Sequence, residues 1–253
     1  MSLKRSNAYE KEGIVMTSVS IKDIDQEIID KMVLSLDVGN IDEALKLVDQ
    51  VGEYFGYAKV GSELYAESGV SALEKLRDRG MKVFLDLKLH DIPNTVERAC
   101  RVHASRGISM MTVHAAGGEE MLRAARKGLN EGASAGGYES PILLGVTVLT
   151  SLPADSLAFD ERLKLISAVK CDMVCSAHEV THVKQTAPTV RMLVPGIRLA
   201  GQDKGDQTRV ATPGDAINDG ASWIVLGRAV YAAQDPLAAA HEVYSQVKAA
   251  SII

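Results

Sequence analysis

The feature that most limits the folds open to this chain is an alternation. Eight times, a short apolar run rich in branched residues gives way to an amphipathic stretch of helical period. The runs lie at 32–38, 55–61, within 81–95, and at 108–115, 141–150, 171–177, 189–197 and 222–228. Helical patterns follow at 41–54, 62–80, 95–107, 118–132, about 159–169, a short piece after 177, 212–220 and 235–250. Strand–helix repeats with short connections predict parallel pairing. Eight of them in 253 residues favour an α/β fold closed as a (β/α)8 TIM barrel over an open sheet, which would hold fewer strands. Residues 31–253 are assigned to that barrel as one domain. Residues 1–30 read as a short polar N-terminal arm, partly disordered, with a short helix at Ile24 to Asp30.

Bulk properties narrow the function. The net charge of -5 argues against a general nucleic-acid binder or a membrane-surface protein. No apolar run reaches the length of a membrane span, and the N-terminus lacks the apolar core of a secretory signal. Cys100, Cys171 and Cys175 are too few and too scattered for a disulfide framework, so they read as reduced thiols of a cytoplasmic protein.

The chemistry concentrates in Met81 to Thr95, MKVFLDLKLHDIPNT. Val83, Phe84, Leu85, Leu87 and Leu89 make it a strand. Asp86, Lys88 and His90 stand two apart, so a regular strand projects them from one face, with Asp91 at its end. Asn94 then reads as a helix N-cap, with Glu97 as its capping-box partner. Two carboxylates and a lysine this close are costly to bury unless they pair and act. A surface strand with one solvated face is the competing reading. Leu85, Leu87 and Leu89 speak against it, because parallel strands are covered on both sides.

In a barrel of this class, chemistry belongs at the C-terminal ends of the strands. Polar residues fall there: Asp37 after strand one, Lys59 on strand two, His114 on strand four, Thr150 and Ser151 after strand five, Arg198 after strand seven. The loops after strands seven and eight form the usual phosphate site, and here they read PGIRLAGQDKGDQTRVATPG and GRAV. Arg198 and Arg228 can grip a phosphate, Gln207 can donate an amide N–H, and the backbone at Gly227 can approach an anion ahead of a helix N-terminus. Arg209 is a weaker candidate.

His178-Glu179-Val180-Thr181-His182 matches the H-E-x-x-H zinc signature. That motif needs one helix, a third ligand and an activated water. The segment is short, is bounded by Pro188, and has no further ligand at a suitable spacing, so no metal site is assigned. Cys171 and Cys175 read as packing thiols of strand six.

The segments FLDLKLHDIPNTV, SLDV, YAKVG, VTVLTS, VPGIR, DQTRVATP and VLGRAV together resemble the orotidine 5'-phosphate decarboxylase family in its bacterial form, from about Met32 to Pro236. The D-x-K-x-x-D-I-P-N-T block is the most specific part. The resemblance implies decarboxylation of orotidine 5'-monophosphate to uridine 5'-monophosphate without metal or organic cofactor, in a cytoplasmic homodimer with shared active sites. It implies Lys88 as proton donor to pyrimidine C6, Asp86 against the substrate carboxylate, and Lys59 and Asp91 completing a Lys–Asp–Lys–Asp array. It places Asp91 and Thr95 in the neighbouring subunit's site and Asp37 with Lys59 on ribose hydroxyls. Thr150 or Ser151 would meet the pyrimidine, and Arg198, Gln207, Gly227 and Arg228 the phosphate. Sugar-phosphate enzymes of the same superfamily, such as the 3-keto-L-gulonate 6-phosphate type, share D-x-K-x-x-D but hold Mg²⁺ on acidic ligands. Lys59 at the end of strand two departs from that pattern. A non-catalytic phosphate-binding barrel is the rival of another class.

Overall fold

The apolar runs become strands. The computed structural model describes residues 24–149, 155–201 and 211–251. Within them, β1 (Met32–Ser35), β2 (Tyr57–Gly61), β3 (Lys82–Leu89), β4 (Met110–His114), β5 (Ile142–Val146), β6 (Asp172–Val174), β7 (Met192–Val194) and β8 (Trp223–Leu226) pair in order, all parallel, and close as a barrel. Closure is made by β1, where Val33 is in register with Tyr57 of β2 on one side and Val225 of β8 on the other. This is the (β/α)8 barrel that the alternation predicts.

The helices are α1 (Gln26–Ile29), α2 (Ile41–Val51), α3 (Ser62–Ser68), α4 (Val70–Arg77), α5 (Pro93–Ala104), α6 (Gly118–Gly136), α7 (Ser156–Val169), α8 (Val180–Thr186), α9 (Pro213–Asp219), α10 (Arg228–Tyr231) and α11 (Pro236–Ser251). The single helix expected over 62–80 is broken at Gly69, whose φ of +57° lies in the left-handed region that glycine tolerates. Asn94 is not the N-cap of α5. The helix starts two residues earlier than expected, at Pro93 with Ile92 in the cap position, because proline's fixed φ and missing N–H suit the first helical position. Glu97 turns to Arg101 and Lys127 instead.

The two-residue period of the strands divides the core. Val33, Tyr57, Phe84, Met110, Leu144, Leu193, Trp223 and Val225 fill the barrel interior. Their neighbours in sequence, such as Leu34, Ala58, Leu85 and Met111, join the larger layer between sheet and helices. One step further along the inward faces come Ser35, Lys59 and Thr112, all buried, and the half-buried Asp86. The interior therefore changes from apolar to charged towards the C-terminal ends of the strands. That change places the charged cleft at this end.

Two contacts anchor the surroundings. A Cβ at Gly128 or Gly132 of α6 would overlap the carbonyl oxygens of Glu97 and Arg101 on α5, so only glycine permits this close helix pair. The pairing fixes the loop that enters α5 from β3. At the opposite end, α1 is capped by the Asp25 carboxylate, which accepts the Glu27 N–H (2.9 Å). It docks on α11, where the Tyr244 hydroxyl accepts the Asp25 N–H (2.9 Å). Residues 1–23 of the expected arm lie outside the described residues.

Candidate active site

Strand β3 does not run regularly through its charged half. The register with β4 passes from Leu85↔Met111 to Leu89↔Val113, so three residues of β3 face the single residue Thr112. Within this bulge Lys88 takes a φ of +49°, a left-handed conformation that costs a non-glycine residue about 1–3 kcal/mol. Regular alternation thus does not carry through this stretch. The bulge still brings Lys88 onto Asp86: its Nζ lies 2.8 Å from both carboxylate oxygens. The Thr112 hydroxyl donates to Asp86 Oδ1 (2.9 Å) and accepts the Lys88 backbone N–H (2.9 Å).

Lys59 on β2 lies across from them. Its Nζ is 2.9 Å from Asp37 Oδ1 and 3.8 Å from Asp86 Oδ2. The Ser35 hydroxyl donates to the other oxygen of Asp37 at 2.7 Å. Asp37, Lys59, Asp86 and Lys88 therefore form a chain of alternating charge. The pairing compensates the desolvation of Lys59 and Asp86, whose side chains are only 10% and 13% exposed. Burial alone would raise the Asp37 carboxyl; the Lys59 ammonium, the Ser35 hydroxyl and the more distant Lys88 outweigh it and hold Asp37 below its ordinary value. Gly61 allows the approach, since a Cβ there would stand 3.2 Å from both Asp37 Oδ1 and Lys59 Nζ.

One cleft holds this chain of charges together with Gly196, Arg198, Gly227 and Arg228. Arg198 is buried, and its Nη1 donates to the Ile197 carbonyl (2.8 Å). Its backbone N–H donates to Ala211 O (3.0 Å). The cleft also has apolar walls, from Phe84, Val146, Val174, Leu193 and Val225; Phe84, Leu193 and Val225 belong to the apolar barrel interior. It therefore combines acidic, basic and apolar lining residues.

Of the residues singled out from sequence, Asp37, Lys59, Asp86, Lys88, Arg198, Gly227 and Arg228 line this cleft. Asp91 and Thr95 do not line it; both are exposed at the start of α5, beside Ile92, which is 65% exposed. Thr150, Ser151 and Gln207 lie outside the described residues. His114 is half-buried and stacks on His90 with ring centroids 5.4 Å apart. Burial, then Arg162, His90 and Lys88, lower its pKa and favour the neutral ring. Tyr231 also lines the cleft and was missed. Its phenol is pushed up by burial and by Asp37. Tyr231 stands three residues after Arg228 on the short helix α10, a spacing that could have pointed to it once Arg228 was singled out.

The H-E-x-x-H segment is split between a 3-10 turn (Ala177–Glu179) and α8. Its groups have local partners: His182 Nε2 lies 2.8 Å from Asp160 Oδ1, and Glu179 accepts the Ser176 N–H (2.7 Å). Cys100, Cys171 and Cys175 are buried free thiols, and burial pushes Cys171 up to about 11.

A closed parallel barrel, with buried ion pairs at the C-terminal ends of its strands and two arginines across the same cleft, defines a (β/α)8-barrel enzyme. Comparison with known proteins narrows the class. The chain matches the model of the Orotidine 5'-phosphate decarboxylase / HUMPS family over residues 30–243, and it belongs to that family. It is 39% identical over 233 residues to the orotidine 5'-phosphate decarboxylase of Moorella thermoacetica, covering 87% of this chain and 92% of that one. It is 42% identical to the Nostoc sp. enzyme of the same name, covering 82% and 92%. Among solved structures, the orotidine 5'-phosphate decarboxylase of Lactobacillus acidophilus superposes with a TM-score of 0.75 at 33% identity, covering 86% of this chain and 99% of that one.

Proposed function

We propose that the protein decarboxylates orotidine 5'-monophosphate to uridine 5'-monophosphate and CO2, within pyrimidine nucleotide synthesis, using only its own side chains. The observation that carries this is the Asp37–Lys59–Asp86–Lys88 chain in one cleft with Arg198 and Arg228. Such a cleft suits a flat uncharged ring between a reacting carboxylate and a remote phosphate.

The chemistry follows from the charges. Breaking the bond between C6 and the carboxylate leaves its electron pair on C6, where no ordinary sink receives it. An ammonium held beside that carbon stabilises the developing charge and then supplies a proton. Lys88 takes this role. It forms the new C6–H bond, is left as the amine, and recovers its proton from solvent. Asp86 faces the substrate carboxylate and repels it until CO2 leaves, while its hold on Lys88 keeps the ammonium aimed. Asp37 and Lys59 hold the ribose hydroxyls. Phosphate held by Arg198, Gln207, Gly227 and Arg228 supplies binding energy away from the reacting carbon, which can offset the strain. Thr150 or Ser151 completes the contact with the pyrimidine.

Lys59 favours this reaction over Mg²⁺-dependent sugar-phosphate chemistry. Its ammonium already stands between the carboxylates of Asp37 and Asp86, where those enzymes would carry the metal. Asp91 and Thr95 serve the cleft of a second copy in a homodimer, a role supported by their exposure outside their own cleft beside an exposed Ile92. The arm at 1–30 precedes a single barrel domain, 31–253, and the enzyme works in the cytoplasm. Among the described residues no helix is long and apolar enough to cross a membrane. The deciding experiment is ultraviolet absorbance of orotidine 5'-monophosphate with enzyme, with and without EDTA. Loss of the orotate band at equal rates in both is expected. No loss refutes the reaction, and loss abolished by EDTA refutes the metal-free mechanism.

A further inference from the structure

We propose that Thr112 is a positioning residue for the reaction: one buried hydroxyl sets both the backbone of Lys88 and the carboxylate of Asp86. The inference rests on the decarboxylase reading for its kinetic consequence, though not for its geometry. Thr112 is fully buried on β4 and stands alone opposite the three-residue bulge of β3. Its hydroxyl can accept and donate at once, and both capacities are used. The oxygen accepts the Lys88 backbone N–H at 2.9 Å, and the hydroxyl proton goes to Asp86 Oδ1 at 2.9 Å. Lys88 is thus gripped at both ends. Its main chain is tied to Thr112, and its ammonium to the same carboxylate that Thr112 holds.

The grip matters because the conformation it secures is unfavourable by itself. A lysine at φ +49° persists only when its surroundings over-determine it, and the Thr112 hydroxyl is the polar side-chain partner of that residue's amide. A bulge is a common device for re-aiming a side chain beside an active site. Here the re-aimed side chain is the proposed proton donor. An error of about 1 Å in its placement can cost roughly 100-fold in rate.

Thr112→Val keeps the shape and removes the hydroxyl; Thr112→Ser keeps the hydroxyl and removes a methyl group. For Thr112→Val we expect kcat with orotidine 5'-monophosphate to fall by roughly 10- to 100-fold, with KM changed far less because Arg198 and Arg228 are untouched. Thr112→Ser should retain most of the rate. Hydrogen exchange at the Lys88 amide should be roughly 10-fold faster in Thr112→Val, since its acceptor is gone. Three results would overturn the proposal: a wild-type kcat in Thr112→Val, an equal loss in the serine and valine variants, or an unchanged Lys88 amide. If the wild-type protein does not turn over orotidine 5'-monophosphate, the parent reading fails, and amide exchange alone still decides whether Thr112 holds the bulge.

Discussion

Replacing Lys59 with methionine keeps most of the hydrocarbon stem and deletes the ammonium that joins two carboxylates. The Coulomb attraction of Lys59 to Asp37 at 2.9 Å and to Asp86 at 3.8 Å is worth about 4–6 kcal/mol each at an effective dielectric of 20. The net loss is smaller. The variant no longer desolvates a lysine, Asp86 keeps Lys88, and Asp37, with a side chain 49% exposed, is screened by water. A loss of about 2–4 kcal/mol at pH 7 remains, or roughly 5–15 °C in Tm for a chain of this size. Its pH dependence identifies the cause. In the wild type the Asp37 carboxyl is held below its ordinary value, so its contribution is present above the unfolded value and fades as pH falls through the folded one. Without Lys59 the strongest lowering influence is gone, and burial is opposed only by the Ser35 hydroxyl and the more distant Lys88. The difference between wild type and variant should therefore shrink below about pH 4, as the carboxylate takes up its proton in both. Urea unfolding at pH 7 and at about pH 3 measures it. A deficit below about 1 kcal/mol at pH 7, or one equal at both pH values, would refute the view that Lys59 is the compensating charge.

Lys88→Ala should leave the unfolding midpoint near that of wild type and reduce turnover by at least about 1,000-fold, read by ultraviolet absorbance; near-normal turnover would remove Lys88 as proton donor. Arg228→Ala should weaken uridine 5'-monophosphate binding by roughly 10- to 100-fold in calorimetry and leave uridine binding unchanged; equal binding of nucleoside and nucleotide by the wild type would remove the phosphate site. Neither Lys88→Ala nor Asp91→Ala alone should be active, yet a mixture that exchanges subunits should recover part of the wild-type rate. No recovery would count against a shared site.

Reading the rim from sequence worked where a residue's place depends on its own strand. Asp37, Arg198 and Arg228 follow strand ends, and Lys59 and Asp86 lie in the C-terminal part of β2 and β3, so the alternation located them before any pairing was known. Asn94 was misplaced because two local rules competed there and proline's fixed φ outweighed a side-chain cap. Gly69 ended a helix that periodicity alone continued.

The pattern of apolar residues by itself determined the barrel, its single interior and the end that carries charge, because strand and helix periods are local and eight repeats leave few ways to bury them. Tertiary structure decided the rest. Which β4 residue faces the bulge, how Lys88 meets Asp86 and that Lys59 bridges Asp37 and Asp86 all depend on register and on strands far apart in the chain. No local pattern encodes these distances. They are set when the sheet closes and each charged group must find its partner away from water.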